Sequence, residues 1–250
     1  MERGQTVLRK IRRVTPNHST QTGPDGTAVG AVIQALVFDF DGLILDTESP
    51  ALTAWCEVFA DLGCPPPTAA DLAAVIGTAG TADLFDLLIA RAAPADDVDL
   101  DAVQAKRRAR RDELLDREQV RPGVTEWLAD AQALGIPIAI ASSSPEEWVH
   151  HHLERLGLRE RFAAIRCSSD SLAAKPAPDT YLAACEALDV IPTLALAIED
   201  SPHGVSAARR AGLRCIAVPN SVTEGLDLSH ADLVLTSLAD AHLADFVPRG

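Results

Sequence analysis

Residues 36–48 read Leu-Val-Phe-Asp-Phe-Asp-Gly-Leu-Ile-Leu-Asp-Thr-Glu, and no other stretch limits so narrowly what this chain can become. An apolar, β-type run from Leu36 to Phe38 leads directly to Asp39, Asp41 and then Gly42 in what must be a tight turn. Side chains alternate along a strand, so Asp39 and Asp41 project from one side while Phe38 and Phe40 pack on the other. Gly42 permits backbone angles closed to other residues and lets a ligand approach the main chain. Two carboxylates at the end of a buried strand carry a large desolvation cost unless a cation or a substrate fills the space between them. The plain alternative is a strand that runs out into a solvated acidic turn.

Three further segments have the same form. Ile136–Ser144, Ile-Pro-Ile-Ala-Ile-Ala-Ser-Ser-Ser, reads as a buried parallel strand bounded by Gly135 and a serine cluster. Its last residues, Ser142 and Ser143, fall where ligands gather in open α/β sheets. Ser144-Pro145-Glu146-Glu147 then has the pattern of an N-cap, a proline at the first helical position and acids in the first turn. Lys175 is one of three lysines among 22 basic residues, and Pro176 confines its backbone to extended angles. Finally Leu194–Ser201, Leu-Ala-Leu-Ala-Ile-Glu-Asp-Ser, is an apolar strand ending in Glu199 and Asp200 before an alanine-rich helix. Carboxylates and water are what a hard cation binds.

In this order the four segments resemble the motifs of the haloacid dehalogenase superfamily, mostly phosphatases and phosphomutases. The resemblance covers residues 34–250. It implies Asp39 as nucleophile and Asp41 as acid/base. It also implies phosphate held by Ser142, with Ser143, Lys175 and Gly42 around it. A Mg²⁺ site is implied at Asp39, Asp41 and Asp200, with Glu199 as a further ligand or an outer partner.

Helical spacing replaces the strand pattern after the first motif. Trp55, Val58, Phe59 and Leu62 recur at three and four residues, and Gly63 with Pro65 to Pro67 ends that helix. Helices over 68–76, 81–91 and 100–117 follow with no strand between them. From Arg121 onward helices alternate with apolar strands at 137–141, 163–167, 194–198, 214–218 and 233–235, which predicts a doubly wound parallel sheet. The expected architecture is an α/β Rossmann-like core, 34–46 plus 120–250, interrupted by an all-helical cap over 47–119. Residues 1–33 are expected to be a disordered extension. The insertion point is that of the β-phosphoglucomutase-like branch of the superfamily.

Acidic residues outnumber basic ones by 36 to 22, a net charge of −14, which argues against non-specific nucleic-acid binding. Phosphate esters are repelled at long range by such a chain, so positive potential has to be concentrated at the site. No apolar stretch is long enough to span a membrane. The five cysteines are scattered without metal-ligand spacing, which suits a reduced, cytoplasmic protein. Its expected partner is a small phosphorylated metabolite, with neither nucleic acid nor membrane involved.

Two tracts read as surface features. Lys106–Arg111 spreads around a helix beside Asp112, Glu113 and Asp116 as a solvated face, from which one arginine can reach the cleft. His150-His151-His152 points in three directions about 100° apart and cannot hold one metal, so it is assigned to the surface. Gly77–Gly80 is the expected cap loop over the cleft.

The reaction expected is Mg²⁺-dependent hydrolysis of a phosphate monoester through an aspartyl phosphate. A mutase of the β-phosphoglucomutase type is the main rival. The resemblance associates such mutases with a histidine shortly after the first strand, where this chain has Ser49-Pro50-Ala51-Leu52 and no histidine between His18 and His150. Carbon–halogen or phosphonate cleavage fits less well, because relatives with those activities differ at the position of Asp41. A non-catalytic binding protein would have little reason to keep both aspartates.

Overall fold

The computed structural model describes residues 33–68, 98–169 and 171–247, together with Asp71, Phe85, Ile89 and Ala90. Most of the helices expected over 68–76 and 81–91, the loop 77–80, and residues 1–32 lie outside that set. Ile33, expected in the extension, is buried in the core.

Among the described residues six parallel strands form the sheet: β1 (Ala35–Phe38), β2 (Ile138–Ser142), β3 (Ala164–Cys167), β4 (Ala195–Glu199), β5 (Arg214–Ala217) and β6 (Leu233–Val234). Their spatial order is β3-β2-β1-β4-β5-β6. The chain builds outward from β1 on one side, then returns to place β4 against β1 and continues on the other. That reversal puts a topological switch point between β1 and β4, whose carboxyl ends hold Asp39 and Glu199. Every residue of β1, β2 and β4 is buried, which is why these strands read as unbroken apolar runs rather than alternating ones.

Helices α1 (Glu48–Asp61) and α2 (Leu100–Leu115) intervene between β1 and β2 and add no strand to the sheet. They are followed by α3 (Val124–Ala133), α4 (Glu146–Arg155), α5 (Asp179–Ala187) and α6 (Pro202–Arg210). One face of the sheet packs Phe38, Leu36 and Ile140 against Trp127 and Leu153. The other face packs small residues (Ala35, Ala139, Ala197) against Tyr181 and the alanines of α5 and α6. A third cluster joins Trp55, Val58 and Phe59 of α1 to Val222 in the loop after β5.

The two charged tracts depart from their surface assignment. Lys106 and Arg110 do pair with acids, at 2.7 Å to Asp61 and 2.8 Å to Glu57. Arg107, however, is 7% exposed and lies over the Trp55 ring at 4.7 Å, because its position on α2 faces α1. His152 is 3% exposed and turned inward, and among the described residues neither ring nitrogen has a hydrogen-bond partner. The 100° step that keeps the three histidines from sharing a metal also sends one of them into the core.

Among the described residues no helix is long and apolar enough to cross a membrane.

Candidate active site

Four segments converge at the carboxyl ends of β1, β2 and β4. The turn after β1 is tight: Gly42 N–H donates to the Leu45 carbonyl at 2.8 Å, and Gly42 itself has φ +74°. A Cβ at Gly42 would stand 2.4 Å from Asp200 Oδ2 and 2.6 Å from Asn220 Nδ2. Glycine is therefore required twice, for its backbone angle and for the room it leaves a carboxylate.

Lys175 is 2% exposed, and its Nζ contacts Asp39 Oδ1 and, at 2.6 Å, Glu199 Oε1. The loop that delivers it is anchored by its own N–H, which donates to Ser143 Oγ at 3.1 Å. Burial works against the ammonium, but Asp39 and Glu199 outweigh it and hold the Lys175 pKa above its ordinary value. Both oxygens of Glu199 are engaged. Tyr181 donates to Oε1 at 2.8 Å, while the N–H groups of Asp200 and Ser201 donate to Oε2 at 3.0 and 3.2 Å. Ser201 also caps α6, accepting from Gly204 N–H at 3.1 Å.

Asp39, Glu199 and Asp200 are all buried, and one oxygen from each lies within 4.8 Å of the others. Burial pushes Asp39 well above the ordinary carboxylate range, with Lys175 pulling it back and Glu199 adding to the rise. Burial also raises Asp200, and Asp39 and Glu199 raise it further. Three buried carboxylates against a single ammonium is an unbalanced set, and its all-oxygen donors suit a hard divalent cation. Asn220 fixes Asp200, donating from Nδ2 to Oδ2 at 2.7 Å.

The Asp41 carboxylate is outside this cluster. Its Oδ2 accepts from Ser144 Oγ at 2.7 Å and lies 3.4 Å from Ser142 Oγ, while Oδ1 accepts from Trp148 Nε1 at 2.9 Å. Ser144 is thus no helix cap. Helix α4 starts one residue later than expected, with Pro145 at the cap position and no side-chain cap, and the Ser144 hydroxyl is drawn to Asp41 instead. Ser142 is completely buried and accepts from Ser144 N–H at 3.0 Å.

Several neighbours carried no signal in the sequence. Arg121 donates to the Gly42 carbonyl and, at 2.9 Å, to that of Pro219, tying the turn after β1 to the loop after β5. Asp46 accepts from Ser49 N–H at 3.0 Å and so starts α1. Glu48, half-buried beside these acids, has its pKa pushed up to about 8 by burial, then by Asp41 and Asp46.

Gly204 provides a test of how closely this centre is packed. A Cβ there would fall 1.8 Å from Glu199 Oε1. Gly204→Ala should therefore destabilise the fold by about 3 kcal/mol or more, lowering Tm by roughly 6–12 °C in a chain of this size. A melt shifted by less than two degrees would mean that Glu199 is free to move.

The chain is 39% identical over 213 residues to the phosphatase candidate YhcW of Bacillus subtilis, covering 85% of this chain and 96% of that one. It is 30% identical over 205 residues to a phosphorylated carbohydrates phosphatase of Thermotoga maritima, covering 81% and 93%. Its fold matches the crystal structure of a CbbY mutant from Rhodobacter sphaeroides in complex with xylulose-(1,5)bisphosphate, with a TM-score of 0.63 and 28% identity over 86% and 100% of the two chains. Residues 33–212 match the haloacid dehalogenase-like hydrolase family as a whole. With its motifs at the ends of β1, β2 and β4 and in the loop after β3, the chain belongs to the haloacid dehalogenase-like hydrolases.

Proposed function

We propose that this protein is a Mg²⁺-dependent phosphatase that hydrolyses a small phosphate monoester, a sugar phosphate by class, through an aspartyl phosphate on Asp39. The observation that carries the reading is the difference in surroundings between two aspartates two residues apart. Asp39 is buried against Lys175, whereas Asp41 is held by hydroxyl and indole donors. The sugar-phosphate class draws support from relatives whose names record activity on, or binding of, phosphorylated sugars.

In this mechanism Asp39 attacks phosphorus while Asp41, protonated, gives its proton to the leaving alkoxide. Asp41 then takes a proton from the water that hydrolyses the intermediate. A carboxylate approaching a phosphate dianion at 4 Å meets repulsion of roughly 2 to 8 kcal/mol across the plausible range of dielectric. Lys175 offsets part of it. Ser142, Ser143 and the main-chain N–H groups after Asp39 and Ser142 hold the equatorial oxygens. Asp39 and Asp200 are the carboxylates available to hold Mg²⁺, whose charge would neutralise the transferring group. Glu199, with both oxygens satisfied, serves Lys175 and orients it. Asp41 offers no carboxylate to the cluster and keeps its proton-handling role.

The helices over 47–119 act as a cap. Two contacts support this: Ser49 Oγ lies 2.9 Å from Ser221 Oγ, and Arg111 of α2 lies over Trp148. A cap excludes water and supplies substrate contacts.

A panel of phosphate monoesters, with and without Mg²⁺, tests the activity. The mutase rival is tested with β-glucose 1-phosphate and a trace of glucose 1,6-bisphosphate, following glucose 6-phosphate and inorganic phosphate together. Ala51 stands where the family's mutases carry their histidine, so release of phosphate should dominate. Isomerisation that outruns phosphate release by a large factor would make the protein a mutase.

A further inference from the structure

We propose that Trp148 is the positioning residue that sets which oxygen of Asp41 carries the proton, and that Arg111 of the inserted helices pins it in place. The proposal rests on the reading of Asp41 as general acid and base. An indole N–H can only donate, so the Asp41 oxygen it meets, Oδ1 at 2.9 Å, is held as an acceptor in either protonation state. The proton is left to Oδ2, which faces two hydroxyls, Ser144 at 2.7 Å and Ser142 at 3.4 Å. A hydroxyl both donates and accepts, so it tolerates Oδ2 with or without its proton. Oδ2 also lies on the side of Ser142, the residue proposed to hold the phosphate. One fixed donor and two adaptable ones thus give the two oxygens different tasks.

The indole is itself constrained. Arg111 lies over the ring at 4.8 Å, from α2. His152 meets the ring edge-on at 4.4 Å, and His152 in turn lies stacked 6.3 Å from Phe40, the residue between the two aspartates. Trp148 is therefore held between the inserted helices and the catalytic turn. Among side-chain rings the indole attracts a cation best, and arginine is its more frequent partner. Displacing α2 loosens the indole, and with it the aim of Asp41.

Leaving-group dependence tests this. A p-nitrophenolate leaves without help from an acid, whereas an alkoxide needs the proton. The test uses the full chain with Mg²⁺ and compares kcat/KM for p-nitrophenyl phosphate with that for the best alkyl ester of the panel. Because kcat/KM reports phosphoryl transfer and not the later hydrolysis, the comparison isolates Asp41 acting as acid. Trp148→Phe keeps a ring and removes the donor. It should lower kcat/KM for the alkyl ester by about ten- to a hundredfold, with less than about a threefold change for the aryl ester. Arg111→Met should give a smaller loss in the same direction. Should Trp148→Phe disturb folding, benzothienylalanine at position 148, which replaces only the N–H, carries the same expectation. Equal losses on both esters, or none, would overturn the assignment. Asp41→Asn is the reference: if it discriminates between the esters and the Trp148 variants do not, the assignment alone falls. If Asp41→Asn does not discriminate, the acid role falls and the assignment falls with it.

Discussion

Asp39→Asn should reduce turnover at least about a thousandfold, the scale on which removing a covalent nucleophile is felt, while leaving the melting temperature the same or higher. The two expectations come from the same surroundings. Asp39 is buried, and its pKa is raised chiefly by burial, with Lys175 opposing. A group whose folded pKa lies above its unfolded value favours folding fully only below the unfolded value. That contribution is lost as pH rises through the folded value. At neutral pH an ionised Asp39 is therefore a strain that Lys175 only partly relieves, and a neutral amide of the same shape removes it. The amide cannot attack phosphorus, so the expected result is an inactive, well-folded protein. Rapid quenching should trap a phospho-enzyme 80 Da heavier in the wild type, the mass of a phosphoryl group, and none in the variant. Retention of more than about one per cent of activity would refute the covalent route, whatever the melt showed.

The parts of this site that sequence made legible are those whose role depends on their own strand. Asp39 and Glu199 are visible because each ends a run that is apolar on both faces, and such runs have only one place in a parallel sheet. Lys175 was visible for its rarity and its proline. Residues that act across the fold left no such trace. Asn220 reaches Asp200 from a loop twenty positions away and Gly42 from 178 positions away. Arg121 crosses 79 positions to the same glycine carbonyl. Nothing in the local pattern of either residue differs from an ordinary loop. Ser144 shows the converse error. A serine followed by proline and two acids is a sound cap signal, but the carboxylate of Asp41 competes for the hydroxyl and wins, a charge-assisted bond being the stronger. The inward turn of His152 and Arg107 was not legible because which side of each helix meets the rest of the fold is decided by packing, not by the tract itself.

Removal of divalent metal should bring activity to background, and readdition of Mg²⁺ should restore it. Ca²⁺ should substitute poorly, because it prefers more ligands and looser geometry. Binding itself should be visible without turnover. Mg²⁺ at a hundred times its Kd adds about 2.7 kcal/mol to the folded state, which in a chain of this length raises Tm by roughly 5–10 °C. The increment should depend on pH with a definite sign. Burial holds the carboxyls of Asp39 and Asp200 above their ordinary values, so in the metal-free protein both retain protons as pH falls. Mg²⁺ takes the ionised forms and must displace those protons. Its stabilising effect should therefore be smallest in acid and grow as pH rises through the folded values, the reverse of the metal-free trend for these two groups. Gly42→Ala checks the geometry behind this. Its Cβ would stand 2.4 Å from Asp200 Oδ2, at a backbone φ of +74° that alanine avoids. The variant should lose both the activity and the Mg²⁺-dependent rise in Tm, as should Asp200→Asn. Full activity in excess chelator would remove the metal from the mechanism. A normal Mg²⁺ response in Asp200→Asn would show that Asp200 is not a ligand.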